Sequence, residues 1–346
     1  SNKDGGTITA NWELYRAQIR LYELGRRYNI DIKFFHGRGG SLGRGGGPLN
    51  RSILSQPPHT LSGGVKITEQ GEVLSSRYAL KPIAYRSLEQ ACSALITSTA
   101  FDLTGESPQK NSRWFEAMDD ISKRALQFYE QLVFQEPYLL DFFHEATPLP
   151  EIGELNIGSR PSRRRNSRAF EDLRAIPWVF AWTQSRFLFP AWYAAGTALQ
   201  QFLQEGEEHL SLLRHMYRDW PFFRSVIDNL QMALAKADLV ISREYVTLVK
   251  NVQMGAHIYE MIKTEYERTC QAVLVITEQQ EIMDHVPVIQ ESIRLRNPYV
   301  DPLSFIQVQC LRELRTIREG GGDDARLLRQ VLMTINGIAA GLRNTG

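Results

Sequence analysis

Apolar positions along the chain recur mostly at helical spacing. Over 10–28, Trp12, Tyr15, Ile19 and Tyr22 return every three or four residues between charged positions, which predicts a helix with one apolar face. The polar, glycine-containing start SNKDGG predicts a turn leading into it. The same period runs through Trp114, Met118, Ile121, Ala125, Phe128 and Leu132, and through 186–205, 222–249, 251–285 and 326–343, so the second half of the chain is predicted almost wholly helical. Two short runs differ. Residues 30–35, IDIKFF, are β-branched and aromatic and stop at His36, and residues 175–181, AIPWVFA, are continuously apolar; both are predicted as buried strands. Pro177 restricts the second to a place where no ladder N–H is needed. Turn signals fall at Pro57-Pro58, across 148–150, at Asn297-Pro298 and across 320–324. No internal repeat of about 20–50 residues is present. The pattern predicts a mainly α chain with a few parallel strands of a β/α barrel and many added helices, its chemistry held in loops that follow the strands.

Composition narrows the function classes. The chain has 346 residues, 43% of them hydrophobic, enough for a large core. Lys and Arg number 40 against 39 Asp and Glu, so no global field recruits nucleic acid or an acidic membrane, and anion specificity has to be local. Cys92, Cys270 and Cys310 are far apart and lack metal-site spacing, which fits a reducing, cytoplasmic setting. No stretch approaches about 18 unbroken apolar residues, and the start has no signal-peptide pattern.

The local anion chemistry is concentrated in two loops. HGRGGSLGRGGGP, residues 36–48, holds seven glycines in thirteen residues, an entropic cost tolerated where backbone approaches a ligand or moves. Arg38 and Arg44 sit in that frame, and two guanidinium forks can clasp a phosphate or carboxylate while glycine bares backbone N–H donors. The loop matches neither the GxxxxGK[ST] nor the GxGxxG nucleotide pattern. A plain flexible surface loop is the bland alternative. The second cluster, GSRPSRRRNSR, carries Arg160, Arg163, Arg164, Arg165 and Arg168, with Arg174 just before the second predicted strand. Alone it reads as a solvated basic loop or weak RNA-contacting patch, or else as a flap that closes over an anion; beside the first, it reads as a second loop converging on one substrate.

Taken in order, SNKDGG, FHGRGGSLGRGGGP, GSRPSRRR, LRAIPWVFAWTQSR and the terminal LRNTG resemble the carboxyl-terminal portion of phosphoenolpyruvate carboxylase, from the first residue of this chain to the last. The resemblance implies a β/α (TIM-type) barrel swollen by helices: residues 1–200 as the carboxyl-terminal part of the catalytic barrel, and 201–346 as a helical region with an inhibitor site. It implies a cytoplasmic, homotetrameric lyase that joins phosphoenolpyruvate to bicarbonate with Mg²⁺ or Mn²⁺, giving oxaloacetate and phosphate through carboxyphosphate and the enolate of pyruvate. Lys3 is then expected to handle bicarbonate, Arg38, Arg160 and Arg174 to clamp the phosphoryl group, and His36 to assist substrate handling, unless it is only a histidine hydrogen-bonded at a strand end. Gly37, Gly39, Gly40 and Arg44 would frame the substrate loop. Aspartate or malate, as inhibitor, would be held by Arg44, Lys236, Arg296 and Asn344; without the resemblance, Lys236 reads as a solvated helix charge.

The family pattern GYSDSxKDxG starts before Ser1. Its metal-ligand aspartate, a glutamate ligand, an essential histidine and another phosphate-binding arginine are therefore expected upstream, with no metal ligand in this chain. The chain is expected to be inactive alone and to need the missing amino-terminal portion as its partner. Its alternatives are a non-catalytic aspartate- or malate-binding module, one half of a split enzyme or, much more weakly, an RNA binder.

Overall fold

The computed structural model describes residues 1–37, 47–61, 64–69, 71–104, 112–155 and 170–343. Within them the chain is mainly helical with a small parallel sheet. Helix α1 (Asn2–Arg27) buries Trp12 and Tyr15 of the predicted stripe, with Ile19 and Tyr22 half-buried, and also buries Ile8, which precedes it. It starts earlier than expected, because SNKDGG is helical apart from a break at Gly6, φ 71°. A side chain there would be strained by that φ, and its Cβ would stand 3.0 Å from the Tyr129 ring.

The first expected strand is shorter and shifted. After α1, Asn29 is left-handed (φ 56°) and the Ile30 amide donates back to the Gly25 carbonyl at 2.8 Å, so the chain reverses over residues assigned to the strand. What remains is β1 (Phe35–Gly37), paired in parallel with β2 (Lys66–Thr68). Phe35 is exposed, not buried, with the Lys66 ammonium 5.7 Å from its ring centroid. These two strands are the sheet of the described residues, and a closed barrel is not visible in them. Helices α2 (Leu49–Leu54), α3 (Gly71–Tyr78) and α4 (Lys81–Thr104) follow, with a satellite core around Ile53, Leu61 and Ala94.

Helix α5 (Ser112–Val133) agrees with its stripe: Trp114, Met118, Ile121, Ala125 and Leu132 are buried. Next come α6 (Leu139–Glu145), α7 (Leu149–Ile152) and, after a 3₁₀ turn at Phe170–Asp172, α8 (Ala175–Gln184). The second expected strand is this helix. Every side chain from Pro177 to Gln184 is buried, so the run has no polar face to reveal a helical period. Pro177 sits in the first turn, where its missing N–H is not needed.

The remaining helices are α9 (Ala195–Leu203), α10 (Glu207–Asp219), α11 (Pro221–Lys236), α12 (Leu239–Val246), α13 (Val252–Thr277), α14 (Pro287–Glu319) and α15 (Ala325–Leu342). The pattern over 186–205 is interrupted by a 3₁₀ turn at Phe189–Ala191, and 222–249 divides at Ala237-Asp238. The break expected at Asn297-Pro298 does not occur. Pro298 and Pro302 lie inside α14 on exposed positions, where carbonyls that lose a helical partner can meet water, and the long contact with α15 holds the helix together. No helix among the described residues is long and apolar enough to cross a membrane.

α8 lies in the main core. Trp178 packs against Phe143 (4.6 Å between centroids), Phe170 (5.1 Å) and Trp182 (5.6 Å), and Trp182 stacks on Phe189 at 4.8 Å. A second aromatic group joins Trp12, Tyr15, Trp114, Phe115, Trp220 and Phe222, bringing α1, α5 and α11 together.

Where α9 meets α13, Gly196 leaves room for backbone: an added Cβ would collide with the Thr269 amide and stand 2.6 Å from Thr269 Oγ1. Gly196→Ala is expected to cost at least about 1–3 kcal/mol, read as a lower urea midpoint at unchanged slope. Beside it, the buried Glu265 carboxylate accepts from the Thr197 amide at 2.9 Å and from the Thr197 hydroxyl. Burial raises its pKa to about 7 from an ordinary 4.5, with the Thr197 bonds pulling the other way. This raised carboxyl contributes stability that is complete below pH 4.5 and is lost as pH rises through about 7. Glu265→Gln should flatten that part of the stability profile; an unchanged profile would contradict the assignment.

Candidate functional site

Lys3 reaches the turn of chain, Phe170–Asp172, that leads into Arg174. Lys3, in the first turn of α1, is buried; its Nζ donates to the Phe170 carbonyl at 3.0 Å and lies 3.9 Å from the Phe170 ring centroid. Tyr129 fixes that turn from below, its hydroxyl donating to the Lys3 carbonyl at 2.7 Å and the Asn2 carbonyl at 3.1 Å. Asp4 Oδ1 stands 3.5 Å from Nζ. Burial works to raise the Asp4 carboxyl, but the Ser1 hydroxyl and the Lys3 charge outweigh it and hold the group below its ordinary value. Arg174, four residues beyond Phe170, is the N-cap of α8 rather than a residue before a strand. Its Nε is buried with no hydrogen-bond partner among the described residues. The segment offers a point charge held at Phe170 and, four residues on, a guanidinium whose Nε is unused among the described residues, groups suited to anions of different shape.

His36 and Gly37 lie on β1, opposite Ile67 and Thr68 of β2. A Cβ at Gly37 would meet nothing within 4 Å, so no described neighbour requires glycine there. Arg38, Gly39, Gly40, Arg44, Arg160 and Asn344 fall outside the described residues. The chain is described again from Gly47, whose φ of 124° and approach to Asn229 do require glycine. Just after it, Arg51 pairs with Asp228 of α11, whose buried carboxylate also accepts from the Tyr217 hydroxyl at 2.9 Å and lies 3.1 Å from His285 Nε2. Nothing in the sequence pointed to that anchor.

A second cationic group forms where the carboxyl-terminal ends of α11 and α15 meet the interior of α14. Lys236 is the last residue of α11, half-buried, with no hydrogen bond or ion pair among the described residues. Burial lowers its pKa to about 8, and the positive charges of Arg296 and Arg343 add to the effect. Arg296 of α14 donates from Nε to the Ser292 carbonyl at 2.8 Å and from Nη1 to the Gly341 carbonyl at 2.9 Å, capping the end of α15. Its pKa is lowered by burial and then by Arg343. Arg343 terminates α15 in the left-handed region, φ 50°. Lys236 and Arg296 are thus brought together as expected, and Arg343 joins them unanticipated. Its place beside Asn344 in LRNTG was the available signal. Three mutually repelling cations define a place where an anion relieves strain between charges.

Among the described residues no group of three or more His, Cys, Asp and Glu side chains is placed to hold a metal ion. Cys92, Cys270 and Cys310 are free thiols.

The family model described as phosphoenolpyruvate carboxylase matches residues 1–346. Similar curated proteins, each named phosphoenolpyruvate carboxylase, come from Thermosynechococcus vestitus (46% identity, all of this chain, 35% of the relative), Synechococcus sp. (46%, all of this chain, 34% of the relative) and Roseiflexus castenholzii (43%, all of this chain, 37% of the relative). The chain spans about a third of the length of these relatives.

The cation group makes a pH prediction. Dicarboxylate binding there is expected to weaken as pH rises through about 8, where free Lys236 loses its proton. Calorimetry at about pH 7 and about pH 9 should show the loss, and Lys236→Met should bind weakly at both.

Proposed function

The chain belongs to the phosphoenolpyruvate carboxylase family, and from that premise we propose that it supplies the cationic side of a carboxylation site and a separate inhibitor site. The reaction takes phosphoenolpyruvate and bicarbonate. A bicarbonate oxygen attacks phosphorus, the phosphorus–oxygen bond to the enol breaks, and the electron pair remains on the enolate of pyruvate. Carboxyphosphate releases CO₂ and phosphate, and the enolate carbon captures the CO₂ to give oxaloacetate. Lys3, a buried point charge, holds bicarbonate; Arg174, with Arg38 and Arg160, tracks the phosphoryl oxygens as charge spreads over them. His36 helps position the substrate, and Gly37, Gly39, Gly40 and Arg44 belong to the substrate loop.

The observation that carries this reading is the Lys3 ammonium held at the Phe170 carbonyl, four residues before Arg174, whose Nε has no hydrogen-bond partner among the described residues. Lys3 in its resting state leans on a carbonyl and a ring, with the exposed Asp4 carboxylate 3.5 Å away, so an incoming anion can replace the carbonyl and ring while the Asp4 pair persists. The family's Mg²⁺ or Mn²⁺ has no fitting donor set among the described residues, and no step above runs through it. The full assembly proposed is a cytoplasmic homotetramer with the barrel completed by the rest of the family's length. The inhibitor, aspartate or malate, is assigned to Lys236, Arg296, Asn344 and Arg44, supported by the unpaired Lys236 beside two guanidinium groups. That same cation group favours a second reading, in which the chain alone is a dicarboxylate-binding module or one half of a split enzyme.

Oxaloacetate formation separates the readings. The chain by itself is expected to form none, and to do so once joined to or mixed with the remaining portion. In the active assembly, Arg174→Lys and Lys3→Met are each expected to lower kcat by about two to three powers of ten, the usual loss for a positioned charge on a reacting anion. Near-normal turnover in both variants would remove the clamp assignment.

A further inference from the structure

Arg186 is a charge with no place in the account so far. It lies two residues beyond α8, is fully buried, and adopts φ 63°, a left-handed conformation that a helix end normally gives to glycine or asparagine. A side chain retained in such a conformation points to a constraint elsewhere. Its partners come from two directions. Nη1 bonds Asp301 Oδ1 at 2.6 Å, and Nη2 lies 3.9 Å from Asp238 Oδ2; the Arg186 carbonyl also accepts from the Asp238 amide at 3.0 Å. Nε and Nη2 have no hydrogen bond.

Asp238 is two residues after Lys236, at the junction of α11 and α12, and Asp301 is five residues after Arg296 on α14, about 7.5 Å along the axis. We infer that Arg186 is the positioning residue of the dicarboxylate site: it ties the element that ends in Lys236 to the helix that carries Arg296, and so sets the spacing of the two cations. This rests on the reading of Lys236 and Arg296 as that site. A lysine has one point charge and cannot keep the fork between two carboxylates. Stability alone gives no reason for the residue, since buried ion pairs are commonly replaceable by apolar groups without loss. The surrounding core polar groups are satisfied separately: Tyr245 donates to Gln307 Oε1 at 2.8 Å, and Gln307 Nε2 donates to Thr334 Oγ1 at 3.1 Å.

The test uses the complete enzyme carrying this chain, with aspartate as probe. Asp301→Asn, at a partly exposed position, keeps the fold if Arg186→Lys does not. In either variant aspartate affinity by calorimetry is expected to fall about tenfold. In the absence of aspartate, kcat and KM for phosphoenolpyruvate should stay within about twofold. A lower melting temperature with unchanged aspartate affinity in Asp301→Asn, while Lys236→Ala abolishes binding, overturns the positioning role and leaves the site standing. Unchanged affinity in Lys236→Ala overturns the site itself, and the positioning role with it.

Discussion

Burial of α8 on every side is the constraint from which the arrangement follows. A helix whose Trp178, Trp182 and neighbours are all enclosed has no freedom to slide or roll, because interiors are packed at crystal-like density. Its two ends are therefore fixed points. At one end the N-cap Arg174 follows by four residues the Phe170 carbonyl that holds Lys3; at the other, the turn after Ser185 presents Arg186 to Asp238 and Asp301. The aromatic contacts of Phe143, Phe170 and Phe189 with this helix connect α6, the 3₁₀ turn bearing Phe170 and the chain leading into α9.

Electrostatics then follows the frame. The chain is almost neutral overall, yet its two candidate sites hold cations with too few acidic partners. At the first, the Lys3 ammonium lies over a ring and a carbonyl, with one exposed carboxylate at 3.5 Å. At the second, burial first and then like charges lower Lys236 and Arg296 together. Elsewhere arginines are matched: Arg315 bonds Glu151 at 3.0 Å through two nitrogens, and Arg124 bonds Asp120 at 2.8 Å.

Legibility in the sequence tracked amphipathicity. α5 and α15 were readable because each has one wet face, while α8, with none, looked like a strand. The prolines of α14 looked like a break because solvent on one side and α15 on the other are not local properties of the sequence. Lys236 and Arg296 were found only through the family resemblance, since their 60-residue separation hides any shared chemistry. Arg343 and Arg186 were missed. For Arg186 the signal was present: an isolated charge in the apolar run WTQSRFLFP is unusual unless it is paired in the interior.

Amide hydrogen exchange along α8, in the complete enzyme, tests the rigid frame most directly. The account predicts that amides from Val179 to Ser185 exchange only through global unfolding, with the free energy of the whole domain. Exchange through a local opening at a much lower free energy would contradict it, because a helix that opens alone cannot hold two sites in register.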